Sequence, residues 1–600
     1  MKEWIKEHRA ALGALFVIAF MAFMTYVYYG LQFAVSEAYN DLTKYPVGKW
    51  FSFGTLFVIG LAFLFFVLWF LILKRKASFN VLAVSAVAFW GLIFMFVLPP
   101  ASAPDEDNFY ATSYELSNHL LFQKETSKDD FVYMRASDAA FLLHRDPRPD
   151  DYQTVWEHFF DGCPDKTMVL TSMQKREMVF WDFLPQALGI SIARIFGRGQ
   201  IFAMYLARLL NFALYLFLFS RAIRRMPFGK HILLCISLFP MVLEQVSSMS
   251  YDVQILGFSF YFIAQVLDLA YRKEKVSVKD IILLAVTLGL LAPTKVIYVM
   301  LGFLCFLIPR KKFVSVHPKL SDKQYYALAI LVVAGLSCAT VLFAQSDRFG
   351  KYLTGGNAYR SNATSDSPLQ IYEEAQKEGS LPNQGETLYT FSDVIHQPKK
   401  MLMIFGNTIR TQWSVHMMMI FGSHLSWHHI LLPEYLIFGF FTLFLATCIR
   451  KEKECFIPKT GERILLACVI LVIGLLAYLF MLVGWTRYDN PQMICEGIQG
   501  RYYLPLLPLF ALFLWNSNIF WSSKTKKSGK AGELSDAQVS APDTSEDAAD
   551  AKEASAGTLL IVFLSSALLW WSILAIFVNT LNWASMDPAN FLYHLNNLGV

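Results

Sequence analysis

Asp105, Glu106 and Asp107 follow one another in LPPASAPDEDNFY (98–110). Three carboxylates crowded beside a membrane need cations, a metal or a shared proton. The plainer alternative is a solvated acidic turn that caps the next helix. A second acidic feature lies in MVLEQVSSMSYDVQ (241–254), with Glu244 inside an apolar run and Asp252 at the mouth of the next. An ionisable group within a span is a functional candidate by default. For Glu244 the competing reading is an ion pair with Arg208 of YLARLLN. Arg208 is eight residues in from Gln200, hence about 12 Å deep by helical rise.

Two cations complete the set. Lys295 follows Pro293-Thr294 and is the sole charge of a short turn, a setting that suits a phosphate or a lysine snorkelling from a helix end. Arg501 heads GRYYLPLLP after Gly497 and Gly500. A guanidinium there can fork onto a phosphate, or simply anchor an aromatic belt. Arg487, Asp489 and Glu496 share its loop. His416, His424, His428 and His429 invite a metal site, but no i,i+4 pair with a nearby carboxylate supports one. No Walker, dinucleotide-binding, GxSxG or HExxH motif occurs.

The elements that must position these groups are apolar helices. The chain is 55% hydrophobic and 16% charged, with 53 Phe and a mean hydropathy of +0.40. Soluble domains carry about 25% charge. A span needs about 20 apolar residues, which predicts an all-α polytopic membrane protein with about 13 spans. These fall near 11–34, 53–73, 79–98, 200–220, 231–248, 252–271, 279–293, 295–309, 325–345, 430–449, 464–484, 502–521 and 558–580. The first apolar run is too long for a cleaved signal peptide and reads as a retained span.

Lys and Arg set the orientation. With the N-terminus cytoplasmic, the inner loops hold Lys74 to Lys76, Arg221 to Arg225, Arg272 to Lys279, Arg310 to Lys312, Arg450 to Arg463 and Lys524 to Lys530. The short outer loops hold only Lys44, Lys49, Lys295, Arg487 and Arg501. All four chemical features then face the extracytoplasmic side. Segment 400–423 is read as an outer surface helix, because a span there would invert the basic loop after it. Two larger outer regions result, about 99–199 and 346–429. The first shows no long alternating strand runs and ends in a helical stretch, 183–197. The linker 522–557 is too polar to fold. Cys235, Cys305, Cys338, Cys448 and Cys468 lie in apolar runs and Cys455 in a basic loop. Cys163 and Cys495 fall outside, either paired in an oxidising compartment or as two unrelated thiols.

The strings PPASAPDEDNFYATSYELS, FGNTIRTQW, IFGSHLSWHHILLP and EGIQGRYYLPLLP resemble the bacterial domain-of-unknown-function 2142 family of multispanning membrane proteins, from about Leu98 to Phe520. Where that family usually has a histidine and an aromatic after PDE, this chain has Asp107-Asn108-Phe109, which leaves the role of Asp107 open. The family in turn looks like a branch of the GT-C membrane glycosyltransferases. The resemblance implies a core at 79–521, two additional N-terminal spans in 1–78, the linker 522–557, and a final span with an extracytoplasmic C-terminus in 558–600. It also implies a sugar donor on a polyprenyl phosphate and a cell-surface glycan acceptor, with no nucleic acid involved. Asp105 would be the catalytic base, with Glu106 orienting the acceptor or sharing that role. Lys295 and Arg501, and behind them Arg208, would hold the donor phosphate. Asp252, with Glu244, would form the second acidic site, positioning the sugar or holding a divalent metal such as Mg or Mn. A flippase or transporter, or a polymerase or ligase of lipid-linked saccharides, would use the same groups differently. The expected location is the bacterial cytoplasmic membrane.

Overall fold

The computed structural model describes, apart from short breaks, residues 78–313, 388–449, 458–515 and 556–585. Apart from isolated positions, the expected spans 11–34, 53–73 and 325–345, most of the 346–395 loop and nearly all of the 522–557 linker lie outside the described residues. The described chain is mostly helical. Five helices are long and apolar enough to cross a bilayer: α1 (Phe79–Val97), α5 (Gln200–Arg225), α8 (Asp252–Leu267) with the π turn that continues it to Arg272, α13 (Thr460–Trp485) and the Thr558–Phe577 part of α15 (Ala556–Ser585).

Proline decides where the helices break. Pro99-Pro100 end α1, since proline lacks the N–H that the next turn requires. Pro240 splits the expected 231–248 span into α6 (Lys230–Ser237) and α7 (Pro240–Val246), with Phe239 extended between them. Pro293 lies in the last turn of α9 (Val278–Thr294), and a 3-10 helix, Val296–Leu307, follows. Pro505 sits in a second 3-10 segment, Gly500–Leu506, ahead of α14 (Leu507–Leu514). Between Phe391 and Thr447 lie α10 (Phe391–His396), α11 (Pro398–Ile420), the hairpin β4 (His424–Leu425) and β5 (Ile430–Leu431), and α12 (Glu434–Thr447). Helix α11 is not among the helices apolar enough to span.

The region after α1 is more ordered than its sequence suggests. It opens with α2 (Glu106–Leu120) and includes a three-stranded antiparallel sheet: β1 (Ser127–Lys128), β2 (Phe131–Arg135) and β3 (Met168–Gln174). Helix α3 (Pro149–His158) lies between β2 and β3, and α4 (Phe180–Ile195) covers the expected 183–197 helix. The strands escape detection because they are short. Their hold on the helices is polar and buried: Arg135 makes a two-pronged ion pair with Asp138, and the Tyr114 hydroxyl donates to Asp138 at 2.6 Å.

The two ends of the bundle differ in charge. At the far end of α8, Asp268 accepts from Arg272 (2.6 Å) and meets Arg225 (3.5 Å). Beside it the Lys312 ammonium donates to the carbonyls of Leu269, Ala270 and Lys273. Asp252 opens the same 21-residue segment that Arg272 closes, a rise of about 30 Å, the thickness of a bilayer's hydrocarbon. The two free cysteines expected outside are not joined: the Cys163 thiol donates to the Asp165 carbonyl, and Cys495 accepts from the Thr486 hydroxyl.

Helices α4 and α5 approach so closely that a Cβ on Gly189 would lie 2.6 Å from the Ala207 nitrogen. At Gly406, inside α11, a Cβ meets nothing within 4 Å. The two glycines therefore respond oppositely to the same change. Thermal unfolding of the detergent-solubilised protein should show Gly189→Ala destabilised by about 1–3 kcal/mol through overpacking, and Gly406→Ala stabilised by about 0.5–1 kcal/mol through helix propensity.

Candidate functional site

The corner after α1 is strained and is held from below. Ala101 (φ 72°) and Asp105 (φ 63°) are both left-handed, a conformation that few non-glycine residues adopt. Arg208 rises from α5 beneath this corner. It donates to the carbonyls of Met95 (3.0 Å) and Leu98 (2.6 Å), which the end of the helix leaves open, and to that of Pro99 (2.9 Å), which Ser102 also meets. Its Nε and Nη2 donate to the two Glu106 oxygens at 2.7 and 2.6 Å. Glu106 also accepts from the Met249 N–H at 3.0 Å. The pair is sealed, with side chains 1% and 0% exposed.

This corrects two expectations. The partner of Arg208 is Glu106, not Glu244, because the 99–106 corner folds back over α5. Glu106 is accordingly wholly engaged inside the protein rather than open beside Asp105. Glu244 instead accepts the backbone N–H of Ser426 and, at 3.3 Å, the Gln245 amide. It thereby fastens the β4–β5 hairpin, whose Ser426 hydroxyl donates to the Ser102 carbonyl at 2.7 Å.

Asp105 remains accessible, its side chain 20% exposed. Arg176 donates to one of its oxygens at 2.6 Å, and Arg501 lies 3.6 Å from the other. Arg501 also lies 3.6 Å from Asp252 and donates to the Gln245 side chain at 3.3 Å. One guanidinium thus bridges carboxylates from α8 and from the strained corner. Lys295 places its ammonium 3.4 Å from the centre of the Tyr502 ring, a cation–π contact, and makes no ion pair among the described residues. Gly500 permits the approach: a Cβ there would lie 2.5 Å from the His416 carbonyl of α11. The loop before it is braced by Arg487 and Glu496 at 2.9 Å.

The cluster contains one residue that sequence reading missed. Arg176 follows β3 in a region without a motif, and only the sheet brings it to Asp105. Its backbone N–H donates to the Thr112 hydroxyl at 2.9 Å, and its side chain packs 5.9 Å from the Phe109 ring centre. His424 and His428 of the hairpin make an edge-on ring contact, their centres 5.8 Å apart. Burial, with His424, Arg501 and His429 adding to it, pushes the His428 imidazolium down to about 4. His428 is therefore neutral at physiological pH.

A family model described as a predicted membrane protein (DUF2142) matches residues 88–510. The chain belongs to that family. The matched stretch runs through every residue of the cluster, from Asp105 through Arg176, Asp252 and Lys295 to Arg501. Neither a curated protein nor a solved structure matches the chain. For this DUF2142 protein the geometry itself must say what the cluster can do. Arg176, Arg501 and Lys295 stand beside Asp105 and Asp252, an array of donors that suits an anion. Asp252 does not suit a divalent metal, because its neighbour is a guanidinium and no group of three His, Cys, Asp or Glu forms among the described residues.

Removing either partner of the Arg208–Glu106 pair leaves an uncompensated buried charge, which costs about 3–5 kcal/mol. Glu106→Gln and Arg208→Met should each lower the unfolding midpoint sharply in detergent. The double variant Glu106→Gln/Arg208→Met should recover part of that loss.

Proposed function

We propose that this chain is a membrane glycosyltransferase of GT-C type. It moves a sugar from a polyprenyl-phosphate donor to a cell-surface glycan on the extracytoplasmic face of a bacterial cytoplasmic membrane. On this reading about 13 spans cross the bilayer with the N-terminus inside, and residues 79–521 form the core behind two additional spans. The observation that carries it is Asp105, an accessible carboxylate on a strained corner, held between the guanidinium groups of Arg176 and Arg501.

The chemistry follows from charge. An acceptor hydroxyl is a weak nucleophile, and Asp105 takes its proton as attack begins. Arg176 and Arg501 flank that carboxylate and fix its direction. The leaving group is a lipid phosphate whose negative charge grows as the glycosidic bond breaks. Fixed cations stabilise it without reorganising, and Lys295 with Arg501 supply them. Lys295 is suited to this because its ammonium leans on a ring rather than on a carboxylate. Asp252 aligns Arg501 and orients the sugar. A single displacement inverts the anomeric centre. Glu106 and Arg208 act as positioning residues, since both are consumed in holding the corner. The same observation weakens a transport reading: the buried Arg208–Glu106 pair is already neutralised and fixed by five hydrogen bonds from one guanidinium.

Asp105→Asn keeps the side chain's shape and removes the base. In cells lacking the native copy, this variant at wild-type membrane levels should lower transfer by roughly 10²–10⁴-fold, with the polyprenyl-phosphate sugar accumulating. Envelope sugar composition and the lipid-linked pool measure both. Full transfer by Asp105→Asn would remove Asp105 as the base.

A further inference from the structure

A second polar centre lies behind the charged mouth. Asp182, in the first turn of α4, is fully buried, and so are Gln186 on the same helix and Gln254 on α8. The Thr294 hydroxyl, at the end of α9, donates to Asp182 Oδ1 at 2.6 Å. The Asp182 backbone carbonyl accepts from the Gln254 amide at 2.7 Å and from the Gln186 amide at 3.2 Å. Those two amide nitrogens also reach Asn211 Oδ1 (3.4 Å) and the Met249 carbonyl (3.2 Å). Every N–H of the group is thus directed at an acceptor. Rotating either amide would turn its oxygen onto those acceptors, so the orientation of each is fixed.

Three oxygens are left over. Asp182 Oδ2, Gln186 Oε1 and Gln254 Oε1 are all buried and have no hydrogen-bond partner among the described residues. Both amide oxygens lie within about 6 Å of the Asp182 carbonyl, given the dimensions of an amide group. A buried acceptor without a donor is a marked departure from ordinary protein interiors. Three around one carbonyl, one of them a carboxylate oxygen, form a consistent demand for positive charge or donors. The described residues do not meet it. Among the described residues Thr294 from α9 and Gln254 from α8 meet Asp182, and Asn211 from α5 and the Met249 carbonyl meet the two amides, all of them uncharged. Trp181, its neighbour, donates to the Leu290 carbonyl instead. Lys295, next to Thr294, has its ammonium on the Tyr502 ring.

We propose that Asp182, Gln186 and Gln254 form a buried binding site for a small monovalent cation, with sodium as its natural probe. One carboxylate and neutral amide oxygens match a single positive charge. Divalent ions require more carboxylates and six or more oxygens. Neither cysteine nor histidine is present to favour a soft metal. The proton is the competitor. Burial pushes the Asp182 carboxyl up to about 7, with the Thr294 hydroxyl opposing it only in part. Its folded value lies above its unfolded one, so without a cation the stabilisation present at low pH is lost as pH rises through about 7. Sodium takes the place of the proton above that point. The site ties α4 to the ends of α8 and α9, adjacent to Asp252 and Lys295. Occupancy therefore fixes two members of the charged mouth, whatever reaction that mouth performs.

The test is thermal unfolding of the purified full chain in lipid nanodiscs, with sodium chloride replacing choline chloride at constant ionic strength. At pH 8 the wild-type midpoint should rise by roughly 2–4 °C across the titration, and by less at pH 6. In choline alone it should fall between pH 6 and pH 8. Asp182→Asn should lose both the sodium response and the pH dependence. A wild-type midpoint at pH 8 indifferent to sodium overturns the proposal, as does an Asp182→Asn variant that responds like wild type. Should Asp182→Asn not reach the membrane, Gln186→Leu keeps the carboxylate and gives the same reading. A sodium midpoint weakened at least about tenfold supports the site, and an unshifted one overturns it.

Discussion

The contact between Arg208 and Glu106 is the constraint on which the charged mouth depends. A helix that ends at two prolines leaves carbonyls without N–H partners, and an apolar surrounding offers none. Arg208 supplies several donors from a single residue of a neighbouring helix. Its charge must then be balanced where it is buried, and Glu106 does this at the start of α2. The end of one helix and the beginning of the next are joined through a third. Asp105 is the residue between them, and its left-handed backbone follows from that closure. The same carboxylate of Glu106 holds the Met249 N–H, which sets the turn leading to Asp252.

The mouth built on this foundation uses helix ends rather than helix interiors. Asp252 opens α8, Lys295 closes α9, and Arg501 stands in the 3-10 segment before α14. Each position is one where proline or glycine interrupts a regular helix or where a helix begins. The interruptions bring charged groups together while the spans behind them remain packed. Gly500 lets the Arg501 segment sit against α11, and the hairpin fixed by Glu244 brings His428 into the electrostatic neighbourhood of Arg501. The charges are arranged as alternating partners, so that no carboxylate or guanidinium in the group stands alone.

The opposite end of the bundle is built differently. There, lysine and arginine cap carbonyls and surround Asp268, and the basic residues exceed the acidic ones. The two ends are therefore two kinds of local structure. One end is a basic fringe that closes helices. The other is a mixed-charge cluster that bridges them.

The helical class, the positions of the five helices apolar enough to span and the 183–197 and 400–423 helices were legible in the sequence. So was the gathering of Asp105, Asp252, Lys295 and Arg501. Hydropathy and basic-residue bias are properties of consecutive residues and need no knowledge of packing. Pairings were not legible. Arg208 was matched in depth with Glu244, yet it joins Glu106, 102 positions away. Arg176 carries no motif, and it reaches Asp105 only because short strands turn the chain back. Asp182, Gln186 and Gln254 look like ordinary helix residues until three helices and a turn enclose them. Local sequence determines which segments can leave water, because transfer of a segment depends on its own side chains. Which polar groups then meet is decided by tertiary packing, because a buried charge must find its partner among whatever groups the neighbouring helices bring to the same place.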